Sequence, residues 1–185
     1  MSAADNPALI GGVEKRDIRI NDYDPAWPER FRGHAERITR HLGDGALGIE
    51  HVGSTSVPGL AAKPVVDILV VVQDSANEDA YLPQLEAAGY VLRVREPDWE
   101  QHRMFRTPEL DVHVHALSPR SREVERLLAF RDRLRVDSHE RQVYEATKRM
   151  LASRSWPDMN AYAEAKTEVI EQILANAGID IDQSV

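Results

Sequence analysis

Three groups of residues in this chain combine the right types and spacing for phosphate or metal chemistry. Gly53-Ser54-Thr55-Ser56 is a small, hydroxyl-rich turn placed just after a predicted strand. Such a turn offers backbone N–H groups and hydroxyls to an anion. Twelve residues separate Ser54 from Asp67, the single interruption in the apolar run Val65–Val72. A run of this length, rich in β-branched residues, reads as a strand covered on both faces, in the centre of a sheet. An ionised carboxylate is costly there unless it is paired, hydrogen-bonded or bound to a metal. Asp111, His113 and His115 form the third group, and they alternate on one face of a further predicted strand.

A carboxylate on the strand that follows a phosphate turn suits Mg²⁺, which favours carboxylates together with substrate phosphates. Imidazole from His113 and His115 would instead suit a borderline cation such as Mn²⁺ or Zn²⁺. Taken alone, the same two histidines read first as a polar sheet face hydrogen-bonded to its neighbours. Lys63 lies in the loop between the turn and Asp67, which makes it the first candidate for a phosphate cation. Six arginines fall between Arg120 and Arg135. Among them Arg131, with Lys148 and Lys166 on later helices, is a further candidate, because guanidinium and ammonium groups suit phosphate. Charge on a helix face is otherwise mostly solvation. His102 could join His113 and His115, its register on the preceding strand being unassigned, and Trp99, in the polar stretch EPDWEQHR, could stack on a base or cover a sheet edge.

The elements needed to position these groups are legible in order. Residues 1–16 read as a mobile N-terminal tail and Asp17–Ile20 as a short edge strand. Asp24-Pro25 reads as a helix start, with Trp27, Phe31, Ala35, Ile38 and Leu42 at helical spacing until Gly43. Trp27 and Phe31 are expected in the core. Strands follow over 47–52, 65–72, 90–95, 102–106 and 111–117, with a helix over 78–88 capped by Gly89. Beyond Ser118 three helices are expected, over the arginine-rich stretch, over 143–151, and around Tyr162, Lys166 and Leu174, ending before Gly178. Residues 17–178 thus form one α+β domain, a mixed sheet with a leading helix and a C-terminal helical half, and 179–185 form a C-terminal tail.

Composition narrows the function. Of 185 residues 42% are hydrophobic and 29% charged, enough for one domain with a real core. A net charge of -8 argues against bulk binding to nucleic acid or to an anionic membrane. Zero cysteines exclude disulfides, thiolate catalysis and cysteine-ligated metals. Neither a leader nor a membrane-spanning run is visible, so a cytoplasmic protein is expected.

The run GSTSVPGLAAKPVVDILV resembles the signature of the GrpB family, placed within the polymerase-beta-like nucleotidyltransferase superfamily. YDPAWPERF, HVHAL, FRDRLR, the Tyr144–Lys148 segment, Tyr162 and Lys166 extend the resemblance over about residues 17–176. It implies the nucleotidyltransferase fold, a phosphate turn at Gly53 and Ser54, and a metal-binding carboxylate at Asp67. The superfamily's second carboxylate falls on Leu69, and its third on the stretch holding Asp111, His113 and His115. The function implied is nucleotidyl transfer from a nucleoside triphosphate with a divalent metal. Alternatives are a non-catalytic module binding a nucleotide or other phosphorylated small molecule, or a protein-interaction domain on the same fold. Fusion of GrpB-like segments to dephospho-CoA kinase hints at coenzyme A metabolism, although this chain has no GxxxxGK[ST] sequence.

Overall fold

A computed structural model describes residues 8–15 and 17–180. Its centre is a five-stranded mixed sheet in the order β1-β2-β5-β4-β3. The strands are β1 (Ala46–Val52), β2 (Val66–Val72), β3 (Val91–Glu96), β4 (His102–Arg106) and β5 (Val112–Leu117). β2 runs parallel to β5, and the other neighbours are antiparallel. β2 is therefore interior, as its apolar run requires, while β5 holds the middle place.

Alternation along the strands divides the sheet into two faces. Val66, Ile68, Val70 and Val72 of β2, with Val112, Val114 and Ala116 of β5, join the main core under α1 (Trp27–Leu42). The opposite face carries Asp67, Leu69 and Val71 of β2 and His113, His115 and Leu117 of β5. The first part of that face is polar. The second is covered by α3 (Arg122–Val136), whose Val124, Leu127 and Leu128 pack on Val52, Leu69 and Leu117.

α1 starts later than the Asp24-Pro25 signal suggests. Asp24 accepts from Ala26 N at 2.8 Å, which makes it a turn residue ahead of the helix, and Pro28 occupies the first turn. Trp27 and Ile38 are buried, and Phe31 lies flat on His51 with ring centroids 4.8 Å apart. The helix expected over 78–88 is two pieces, a 3₁₀ turn Glu78–Ala80 and α2 (Leu82–Ala87). Tyr81 leaves helical geometry between them, buries its ring and donates its hydroxyl to Ser75 O at 2.6 Å.

The helical half contains α3, α4 (Ser138–Ala152), α5 (Met159–Glu164) and α6 (Thr167–Asn176). Ser121, Asp137 and Asp158 cap α3, α4 and α5 by accepting from backbone N–H groups of the first turns. What reads in sequence as one last helix is broken at Ala165-Lys166. Asp17–Ile20 forms no strand; its neighbour Asn21 makes an isolated bridge to Ala62. Residues 1–7 of the expected N-terminal tail and 181–185 of the C-terminal one lie outside the described residues. Residues 8–14 lie against the sheet: Leu9 bridges Val94, and Arg93 donates to the carbonyls of Ile10 and Gly12. Among the described residues no helix is long and apolar enough to cross a membrane.

Candidate active site

Asp67 and His113 are register partners on the parallel strands β2 and β5, and His115 stands opposite Leu69. Sheet pairing alone thus sets three donor side chains on one face. His113 Nδ1 lies 3.3 Å and His115 Nε2 3.6 Å from Asp67 Oδ1. The carboxylate, with 30% of its side chain exposed, opens into a cavity and is not sealed in the core. Burial alone would raise its pKa, but its histidine partners, His113 foremost, outweigh this and hold it far below the ordinary range.

The phosphate turn is built around the same carboxylate. Gly53 has φ 69°, and a Cβ placed on it would stand 2.4 Å from Asp67 Oδ2. Both facts demand glycine. A 3₁₀ turn, Ser54–Ser56, follows. Ser54 lines the cavity together with Tyr144 of α4. Thr55 and Ser56, expected beside a phosphate, point the other way. Thr55 Oγ1 meets His51 Nε2 at 3.0 Å, and Ser56 Oγ donates to Gly53 O at 2.6 Å. Their hydroxyls shape the turn. Burial lowers the pKa of His51 to about 4, so this ring is neutral.

Three lysines converge on the cavity from different elements. α4 holds both backbone groups of Ala61: Ala61 N donates to Glu145 Oε2 at 3.1 Å, and Lys148 Nζ donates to Ala61 O. That clamp fixes the loop bearing Lys63. Lys63 and Lys166 face the Tyr162 ring at 5.2 and 4.8 Å from its centroid, and Lys148 lies 4.6 Å from the Tyr144 centroid. The break before α6 is what brings Lys166 to that ring. Burial, then repulsion from Lys166, lowers the Lys148 pKa to about 7. Burial, then repulsion from Lys63, lowers that of Lys166 to about 8. The cavity measures about 610 Å³.

Other expected site residues lie elsewhere. Arg131 is outside the cavity wall, buried between β1 and α3, where it donates to Glu50 Oε2 at 2.8 Å, to His51 O and to Asp132. Asp111 precedes the start of β5, so strand alternation does not apply to it. It accepts from Thr107 Oγ1 at 2.8 Å and sits 3.8 Å from Arg30 of α1. Leu69 does share the Asp67 face, but α3 covers it completely.

Sequence reasoning leaves His102 and Trp99 open and misses Glu14, Arg93, Glu96 and Arg106. His102 Nε2 stands 3.0 Å from His115 Nδ1, and His102 Nδ1 stands 2.7 Å from Glu96 Oε2. Burial lowers the His102 pKa against the pull of Glu96. Trp99 meets the His102 ring edge-on at 5.4 Å and keeps 45% of its surface exposed. The pairing of Glu96 with His102 closes a short β3–β4 connection, a spacing that could have shown the contact. Arg93 and Arg106 also line the cavity, and Glu14 pairs with both.

The donor set passes a chemical test for a cation. One atom each from Asp67, His113 and His115 lie within 4.8 Å of one another, close enough for a single ion to gather them with small side-chain shifts. Two imidazoles and one carboxylate suit borderline divalent cations more than Mg²⁺, which seeks oxygen.

Residues 17–176 match the family described as GrpB protein. A UPF0157 protein of Streptomyces coelicolor is 50% identical over 170 residues, 92% of this chain and 89% of that protein. The crystal structure of the conserved protein GrpB from Enterococcus faecalis has a TM-score of 0.77 and 33% identity, over 86% of this chain and 96% of that one. Similarity of fold reaches the Cid1 poly(U) polymerase, solved with Mg and 3'-dATP bound. There the TM-score is 0.53 at 12% identity, over 79% of this chain and 49% of the polymerase. The chain thus shares its fold with the Cid1 polymerase, and by sequence along nearly its whole described length it belongs to the GrpB family.

Proposed function

We propose that the cavity binds a nucleotide with a divalent cation at Asp67, His113 and His115, and transfers the nucleotidyl group to an acceptor hydroxyl with release of pyrophosphate. One observation carries this reading: Lys63, Lys148 and Lys166 crowd together in the same cavity as the carboxylate. Burial first, and then repulsion between the ammonium groups, lowers the proton affinity of Lys148 and Lys166. An anion between them would reverse that repulsion, and a polyphosphate supplies one. A bound cation would add charge neutralisation at the phosphate oxygens. The chain's own part is to orient the phosphates: Ser54 offers its hydroxyl beside Asp67, the lysines neutralise non-bridging oxygens, and Tyr144 and Tyr162 hold the lysines in place. The setting we propose is the cytoplasm, where nucleotides and divalent cations are abundant.

Leu69 favours a second reading, in which the ligand is held without turnover. Two-metal transfer needs ligands that hold both ions ~4 Å apart, and Leu69 lies under α3 where a second carboxylate would be needed.

A thermal-shift screen separates these readings. Mg²⁺, Mn²⁺ and Zn²⁺ are crossed with the four nucleoside triphosphates and coenzyme A precursors, on wild type and Asp67→Ala. Saturation at about 100 Kd stabilises the native state by about 2.7 kcal/mol. A cation-dependent nucleotide shift that the variant lacks, followed by pyrophosphate release, supports transfer. The shift without pyrophosphate supports binding alone. No shift with any pair overturns both.

A further inference from the structure

We propose that Glu96 and His102 are positioning residues that present the Nε2 lone pair of His115 to the cavity, so that the Asp67–His113–His115 triad takes a borderline divalent cation of the zinc class in preference to Mg²⁺. This rests on the cation-binding part of the proposed function and adds to it the class of cation and the residues that select it.

The inference follows from counting protons along one chain of hydrogen bonds. A carboxylate only accepts, so at 2.7 Å from Glu96 Oε2 the His102 Nδ1 carries the proton. In the neutral ring Nε2 then bears a lone pair. Its partner at 3.0 Å is His115 Nδ1, which must therefore be the donor. That places the proton of a neutral His115 on Nδ1 and leaves Nε2 bare. Nε2 is the atom that faces Asp67 Oδ1, 3.6 Å away.

The polarity of the chain, Glu96 to His102 to His115, thus points a lone pair at a carboxylate. Two acceptors facing each other call for something positive between them. A neutral imidazole nitrogen is a good ligand for zinc-class cations and a poor one for Mg²⁺. Metal-bound histidines characteristically donate their other ring N–H to an outer partner, which fixes both tautomer and ring orientation. Burial protects the arrangement: His102 is 7% exposed, with the Trp99 ring against its edge. Its place on β4, adjacent to β5, makes the contact a property of the sheet.

The test uses the full chain freed of metal and titrated with Co²⁺, followed by the visible absorption of the bound ion and by calorimetry, with Zn²⁺ and Mg²⁺ as competitors. We expect Zn²⁺ to displace Co²⁺ and a large excess of Mg²⁺ to leave it bound. His102→Phe keeps a ring but offers no acceptor, and should weaken Co²⁺ binding by about 10- to 100-fold. His102→Gln, whose amide oxygen accepts, should restore most of it. Nitrogen-15 NMR of the histidines in the wild-type protein should find the His102 proton on Nδ1, a readout that needs no variant to fold. A proton on His102 Nε2, displacement of Co²⁺ by equimolar Mg²⁺, or a folded His102→Phe that binds Co²⁺ as tightly as wild type overturns the inference. Failure to bind Co²⁺ or Zn²⁺ at all overturns it together with the cation part of the proposed function. Binding of Co²⁺ with no nucleotide shift strikes the proposed function alone.

Discussion

Gly53 and Asp67 share one small space: a Cβ on the glycine would stand 2.4 Å from the carboxylate's Oδ2 and 3.0 Å from its Cβ. The phosphate turn and the cation ligand are thus a single packed unit. Gly53→Ala must displace the Asp67 side chain and also strain a backbone held at φ 69°. The expected loss is about 1–3 kcal/mol, read by urea denaturation. Cation binding, read by the Co²⁺ titration, should fall with it.

Leu69→Asp should fail to supply a second metal ligand. The side chain is fully buried among Val52, Leu117 and the apolar face of α3. A carboxylate there has as its β5 register neighbour His115, which already faces His102 and Asp67, and it leaves a mismatched apolar core under α3. A destabilisation of about 3–5 kcal/mol is expected in denaturant melts, with no gain in metal stoichiometry by calorimetry.

Lys148 predicts a pH dependence of stability with a definite sign. Its folded pKa of about 7 is below the ordinary 10.5, so between these values the unfolded chain binds the extra proton. Stability should therefore rise with pH across that window, by up to about 1.4 kcal/mol per pH unit from this group. Below pH 7 the cost of the buried charge is constant. In Lys148→Met the rise should shrink, as measured by chemical denaturation at a series of pH values.

The same lysines set the pH dependence of anion binding. As pH climbs through about 7 and then about 8, Lys148 and Lys166 lose their charges. Tripolyphosphate affinity, measured by calorimetry without metal, should fall across this range. It should fall less steeply in Lys166→Met, which already lacks one of the titrating charges.

His51 acts at the acid end. Its folded pKa of about 4 is below the ordinary 6.5, so the unfolded chain takes up a proton first as pH falls. The stability owed to the neutral ring is fully present above pH 6.5 and is lost on the way to pH 4, by about 3 kcal/mol. His51→Gln keeps an acceptor for Thr55 and should flatten this part of the profile in thermal melts.

Asp67 is legible in sequence because one charge breaks a β-branched run, and His113 with His115 because β5 alternates. Both signals are local, and the sheet carries them into space unchanged. Asp111 obeys the same alternation on paper, but β5 begins at Val112 and the side chain turns to Thr107. Thr55 and Ser56 have the right chemistry for a phosphate, yet a 3₁₀ turn spends their hydroxyls on its own shape. Arg131 shows the limit of reading charge along a helix, since its partners Glu50 and the His51 carbonyl come from β1, 80 residues or so upstream. Lys148 and Lys166 are candidates in sequence by charge alone, and only the fold of α4 and the break before α6 brings them into one cavity with Lys63. No periodicity announces a meeting of that kind.

The cavity's two walls have different mechanical ties. The triad sits on neighbouring strands locked by backbone pairing, whereas Lys148 hangs from α4, tied to the loop by the Ala61 clamp, and Lys166 from the break before α6. A ligand reaching from carboxylate to lysines would act as a caliper across that seam. One too short for the span would leave a charge unmet, and one too long would have to part the layers. The same joint that assembles the site therefore measures the length of whatever fills it.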